Sequence, residues 1–444
     1  MSSKPAAAPA YKPITRANVS NTPQWQRLSP EQREAIEVVS AVLPFRTNNY
    51  VMQELIDWDR VPDDPIFRLN FAHRELLEPR HFARVAELLH RQAPRAERDA
   101  VLSEIRRQLN PHPGGQLTHN VPQIDGRKLP GLQHKYRETV LVFPSPGQTC
   151  HAYCTFCFRW AQFVGEDEYK FATREAADLV AYLKRHPEVT DVLITGGDPM
   201  VMKTKVLARY LEPLLDDPEL DHVRHIRIGT KSLSYWPYRY LDGPDADAAL
   251  RLFERVVESG KHLALMAHYN HPVELSTEPA QRALARVRST GAVVRVQSPI
   301  MRHINDSSQA WAELWRASVR HGAIPYYMFV ARDTGAQRYF EVPLVEAWRI
   351  FRDAYSQVSG LARTVRGPVM SSFPGKVLVN GVTRIGGRDL FALQLLQGRD
   401  PEWVGRPFFA ERDDEATWLT DLVPASGVHF FFEQEPVASE RRSA

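Results

Sequence analysis

Six short apolar runs separated by amphipathic stretches of helical length constrain this chain more than any other feature. The runs span 139–143, 191–195, 223–228, 262–267, 292–297 and 323–330. Between them, residues 174–185, 206–215, 246–259, 278–289 and 309–321 carry the apolar spacing of helices. Strands that alternate with helices predict parallel βα units, whose right-handed crossovers curl a sheet toward a barrel. Six units rather than eight leave that barrel open at its side. The expectation is an α/β fold built on a partial (β/α)6, TIM-like barrel, with chemistry at the carboxyl ends of its strands.

The strand ends carry the chemically loaded residues. Cys150, Cys154 and Cys157, the chain's only cysteines, follow the first run in the pattern Cys-x-x-x-Cys-x-x-Cys. Three soft thiolates on one short loop suit a [4Fe–4S] cluster with one iron left open to chelate a small molecule. The alternative is a zinc ion closed by His151, but zinc ligands usually come as two separated pairs and no second Cys/His pair is present. Gly196-Gly197-Asp198 ends the second run, Thr230-Lys231 follows the third, and His268-Tyr269-Asn270-His271 ends the fourth. Gln297-Ser298 ends the fifth, and Tyr327 to Asp333 leaves the sixth.

The loop from Cys150 to Cys157 resembles the signature of radical S-adenosylmethionine (SAM) enzymes. With Thr195-Gly-Gly-Asp-Pro199, His268-Tyr-Asn-His-Pro272 and Pro325-Tyr-Tyr327, it is similar to the lysine 2,3-aminomutase family from about Leu132 to Phe340, and again weakly near Lys376. The resemblance implies a radical SAM partial barrel holding the cluster and SAM. Gly196, Gly197 and Asp198 would meet the SAM amino group, with the glycines letting backbone approach a ligand and Asp198 accepting from an ammonium. Gln297, Ser298, His268 and Asn270 would line the adenosyl pocket. Taken alone, Gly-Gly-Asp is a turn and His268 a hydrogen-bonded core histidine.

The same resemblance gives Arg159 the substrate α-carboxylate, through the paired hydrogen bonds of a guanidinium; otherwise it is a solvated loop arginine. It makes Lys376 the lysine that forms a Schiff base with pyridoxal phosphate (PLP), although the glycine run before it is shortened. Otherwise Lys376 is a plain lysine at the foot of a hairpin turning at Asn380-Gly381. The family arginine for the PLP phosphate is matched by Thr139, leaving Lys135 or Arg137 to take over. Lysine-specific members carry two aspartates in the substrate wall. Here the first position holds Arg332 with Asp333 beside it, and the second falls among Ser371, Ser372 and Phe373, so the substrate is an uncharged or acidic amino acid unless a one-residue shift brings Asp333 inward and restores lysine.

The implied reaction moves an α-amino group to the β-carbon of a small-molecule amino acid, with electrons from a donor such as flavodoxin or ferredoxin. The alternatives are a radical SAM enzyme that modifies a protein-bound lysine or lacks PLP, and a non-enzymatic metal-binding regulator. The family's C-terminal zinc cysteines are absent, so a homo-oligomer would be held otherwise.

Residues 1–25, rich in Pro, Ala, Ser and Asn, read as a disordered or extended arm that buries little. Residues 26–131 read as a helical preface, 132–345 as the barrel and 346–444 as an α+β extension carrying Lys376. A net charge of +3, from 56 basic and 53 acidic residues, argues against a nucleic-acid partner. The lack of a long apolar stretch argues against a membrane span, and three clustered thiols suit a reducing, cytoplasmic location.

Overall fold

A computed structural model describes residues 9–434. Its centre is one sheet of eleven strands. In chain order the strands of the molecule are β1 (Pro13–Thr15), β2 (Arg46–Asn48), β3 (Gln123–Ile124), β4 (Arg127–Lys128), β5 (Leu132–Tyr136), β6 (Thr139–Val142), β7 (Asp191–Ile194) and β8 (His225–Thr230). They continue with β9 (His262–His268), β10 (Val293–Ile300), β11 (Ile324–Val330), β12 (Arg366–Ser371), β13 (Gly375–Ile385), β14 (Arg388–Gly398) and β15 (Pro407–Glu411). The six expected runs are β6 to β11, pairing in parallel and in sequence order. A seventh parallel strand, β12, pairs with β11 after the helix Leu344–Ser356. The sheet therefore runs on past residue 345 and ends in the antiparallel β13, β14 and β15.

Two faces of the barrel strands differ in a way that decides what the barrel is for. Val140, Val142, Val192, Ile194, Ile226, Ile228, Leu263 and Leu265 point outward and are fully buried beneath helices carrying Leu183, Leu207, Leu211 and Phe253. Inward positions such as Leu141, Asp191, Leu193, Thr195, Arg227, Arg295 and Gln297 are only half-buried. A closed barrel packs its interior with branched side chains. This interior is a polar lumen instead.

The sheet curls without closing. Among the described residues β5 pairs only with β6, and β15 only with β14. In a flat sheet β5 and β13 would lie about 38 Å apart, eight spacings of about 4.8 Å. Yet Lys376 Nζ on β13 is 5.7 Å from the ring centroid of Tyr136 on β5, so the two ends of the sheet wrap round to face each other across the lumen.

Two expectations are corrected. From Pro9 on, the N-terminal arm is packed: β1 pairs with β2, and Val19 and Trp25 are buried; residues 1–8 lie outside the described residues. The preface is helical, with Pro30–Val42 started by a Ser29/Gln32 capping box. Asn380-Gly381 is not the hairpin turn. It lies inside β13 as a bulge, and the chain reverses at Gly386-Gly387, both at positive φ. No helix is long and apolar enough to cross a membrane, among the described residues.

Candidate active site

The cysteine loop leaves the carboxyl end of β6 and is gripped from two sides. On the barrel side, Asp198 N–H donates to Gly147 O at 3.1 Å and to Thr149 O at 2.7 Å. A Cβ on Gly197 would sit 2.3 Å from Thr149 O, and one on Gly196 would sit 2.3 Å from Gln148 Nε2. The glycines thus let β7's loop abut the cysteine loop. On the other side the preface holds it: Tyr153 N–H donates to Arg46 O at 2.8 Å and Thr155 N–H to Leu69 O at 2.9 Å.

The three thiols face one another closely enough that each ionised neighbour works against the next. Burial raises all three, Cys154 to about 12, and mutual repulsion adds to the rise for Cys150 and Cys154. Such thiols pay heavily to ionise unless a cation binds them. Among the described residues, no three Cys, His, Asp or Glu side chains already share a coordination sphere. His151 is buried, its Nδ1 has no hydrogen-bond partner, and burial pushes it down to about 3.

The SAM-site candidates meet where β7 to β10 end. Asp198 already accepts several hydrogen bonds from the chain itself. It accepts from Met200 N–H at 2.9 Å, from Thr230 Oγ1 at 2.7 and 2.9 Å, and from Lys231 N–H at 2.9 Å. Burial lifts it to about 6 even so. It is a tie between two loops. His268 and Gln297 are register partners on β9 and β10, and the His268 ring lies 5.6 Å from that of Phe156 in the cysteine loop. Ser298 Oγ and Gln148 Oε1 are buried without partners, which leaves polar atoms for a ligand to satisfy.

Glu274, which the sequence did not single out, organises this corner together with Lys231. Glu274 is fully buried and accepts from Lys231 Nζ, Ser234 Oγ, Asn270 N–H and, at 2.9 Å, His271 N–H. Lys231 Nζ also donates to Asn270 Oδ1 at 2.8 Å. Asn270 is thereby committed to the scaffold. The pair spans 43 positions and only the fold joins it, but His271-Pro-Val-Glu274 was legible as a capping pattern.

Below the mouth, Lys376 enters the lumen from the start of β13, its Nζ 4.7 Å from the centroid of Tyr327. Burial, helped by Arg227 and Arg366, lowers it to about 7. Lys135 is also buried, is driven far down, and donates only to Ser372 O. Arg399 stands close enough to depress it further, and Tyr136 Oη beside them is buried with no partner. Arg137 instead faces Glu138 at the surface, and Thr139 bonds Asp191 Oδ2 at 3.2 Å. Lys135 and Arg399 are therefore the cations that this wall offers to a phosphate.

Arg159 is buried rather than solvated. Its guanidinium stacks 4.0 Å over Phe143, one arm donates to Gln162 Oε1 at 2.6 Å, and Nε has no partner. Burial lowers it to about 10.

No protein-family model matches the chain. A protein of Aquifex aeolicus named "Putative L-lysine 2,3-aminomutase" is 33% identical over 399 residues, covering 90% of this chain and 92% of that one. The chain belongs to the lysine 2,3-aminomutase family. The L-lysine 2,3-aminomutase of Escherichia coli K12 is 30% identical over 54% of this chain and 67% of its own length. Among solved structures, SuiB of Streptococcus suis bound to S-adenosylmethionine has a TM-score of 0.36 at 13% identity, covering 63% of this chain and 58% of that one. Nothing below rests on so slight a likeness.

Arg332 and Asp333, which follow β11, take different partners. Arg332 stacks 5.1 Å from the Phe158 centroid and bears on Tyr136, Lys135 and Arg159. Asp333 lies 3.8 Å from His112 of the preface. Arg332 thus stands among Tyr136, Lys135 and Arg159, while Asp333 turns to His112.

Proposed function

We propose that this chain is a radical SAM, PLP-dependent 2,3-aminomutase whose substrate is an amino acid with an uncharged or acidic side chain. One observation carries the reading: a half-buried lysine, Lys376, its amine against the rings of Tyr327 and Tyr136, stands in the same polar lumen whose mouth the three-cysteine loop flanks. The donor set suits a [4Fe–4S] cluster, the partnerless Ser298 and Gln148 oxygens suit SAM, and Lys376 with Lys135 and Arg399 suits PLP. When bound, the cluster and SAM supply one-electron chemistry, and PLP supplies a conjugated carbonyl that carries the migrating nitrogen.

The chain's own residues do the rest. Lys376, neutral above about 7, has the lone pair needed to attack a carbonyl. Lys135 and Arg399 place a phosphate at the β5 side of the lumen. Arg159, short of an acceptor at Nε, pairs with the α-carboxylate and fixes which face of the β-carbon turns to the mouth. Arg332 repels a cationic side chain and attracts an anionic one. His268 and Gln297 line the adenosyl side. A one-electron donor such as flavodoxin or ferredoxin completes the cycle, and a homo-oligomer remains part of the proposal.

Anaerobic protein reconstituted with iron and sulfide, supplied with PLP, SAM and a reductant, tests this against a panel of free amino acids. A β-amino acid from glutamate or a neutral amino acid supports the reading. SAM cleavage with no β-amino acid from any of them refutes it.

A further inference from the structure

The back of the cysteine loop is covered by residues far away in sequence. Tyr11 Oη donates to His151 O at 2.8 Å. Asn48 Nδ2 donates to the same oxygen at 3.1 Å and to Tyr235 O at 3.0 Å. Arg46 Nη1 donates to Thr149 Oγ1 at 2.6 Å and to Cys150 O at 3.4 Å, and its guanidinium lies 5.3 Å from the Tyr153 centroid. The segment is itself tied down, because β1 pairs with β2 in the register Thr15↔Arg46 and Pro13↔Asn48. Tyr11 also packs edge-on against Trp236 at 5.0 Å and His151 at 5.6 Å.

Apart from Asn48's bond to Tyr235 O, each of these bonds goes to a backbone oxygen or a hydroxyl between Thr149 and His151. None goes to a cysteine sulfur. A loop whose carbonyls are fixed backward presents its thiols forward, and three thiols on eight residues have few conformations in which they can share one cluster. Resting on the cluster reading, we infer that residues 9–16 form a strap that positions the cysteine loop and shields the cluster's rear, with Tyr11 as the positioning residue. The strap touches no reacting atom. It acts through His151 O, where its donor and that of Asn48 converge.

The test uses the full chain, Tyr11→Phe and a variant lacking residues 2–16, all reconstituted anaerobically. Cluster absorbance is followed after addition of a ferrous chelator, the reduced cluster is examined by electron paramagnetic resonance, and thermal unfolding is recorded alongside. Tyr11→Phe keeps the ring and loses the donor, so it releases iron about fivefold faster, the rate equivalent of about one hydrogen bond. Its resonance line shape changes while its melting temperature stays with the parent. The truncation releases iron faster still. Equal release rates and identical spectra in parent and Tyr11→Phe overturn the strap. A parent that binds no iron–sulfur cluster overturns the cluster reading itself, a result distinct from the first.

Discussion

Lys376 and Tyr327 are in contact along one wall of the lumen, two strands apart: the amine lies 4.7 Å from the ring centroid, with a second ring, Tyr136 from the far end of the sheet, at 5.7 Å. No carboxylate bonds the amine, and Arg227 and Arg366 oppose its protonation. A lysine in this setting is protonated below about 7 and neutral above it. Carbonyl capture needs the neutral form, so PLP loading rises with pH through that midpoint. A pH titration of the visible absorbance of bound PLP checks it; Lys376→Ala removes the absorbance at every pH, and a midpoint near 10 refutes the shift.

Gly197 has no room for a methyl group, because Thr149 N and O would lie 2.5 and 2.3 Å from it. Gly197→Ala therefore displaces the cysteine loop, and iron content after reconstitution falls below half that of the parent. Gly165→Ala serves as control: its φ is +88° but nothing lies within 4 Å, so it costs about 1 kcal/mol of strain and leaves iron content unchanged.

Glu274 is a buried carboxylate facing four donors. Glu274→Gln leaves Lys231 as an unpaired buried charge, which costs about 3–5 kcal/mol. Calorimetry checks this, and an unchanged melting temperature refutes it.

Arg159 gives the opposite sign. A buried guanidinium with a partnerless Nε is a burden on the folded state, so Arg159→Met stabilises the ligand-free protein by about 1–3 kcal/mol. The same change raises KM for the amino acid. Loss of stability together with unchanged KM would assign the residue to packing alone.

Arg332→Asp reverses the sign of the wall. The ratio of kcat/KM for an acidic over a basic amino acid falls on the order of 100-fold, the equivalent of about 2.7 kcal/mol. Competition assays with paired substrates read the ratio directly.

The barrel was legible because β6 to β11 each show an apolar face toward their helices, and because a helix must separate parallel neighbours. The cysteine loop and Lys376 were legible as motifs. Other features were hidden by chemistry that looks alike in one dimension. Asn380-Gly381 suits a tight turn and a bulge equally, and only pairing with β14 decides between them. Nothing in the sequence ties Asp198 to Thr230 and to the backbone amides of Met200 and Lys231, which the fold brings to it. The arm was misread from composition, because Tyr11 and Trp25 are few but well placed. Arg399 could not be tied to Lys135 from sequence, since 264 positions separate them and only the curl of the sheet brings them together.

That curl leaves an inner wall of Asp191, Arg227, Arg295 and Gln297 where a sealed barrel would have packed hydrocarbon. The wall holds itself together through the Arg227–Asp191 ion pair but not by packing across the centre, so its occupants become the missing centre of the molecule. An empty chain is then the softer substrate for proteases, and the supply of small molecules governs how long the protein survives as well as how fast it works.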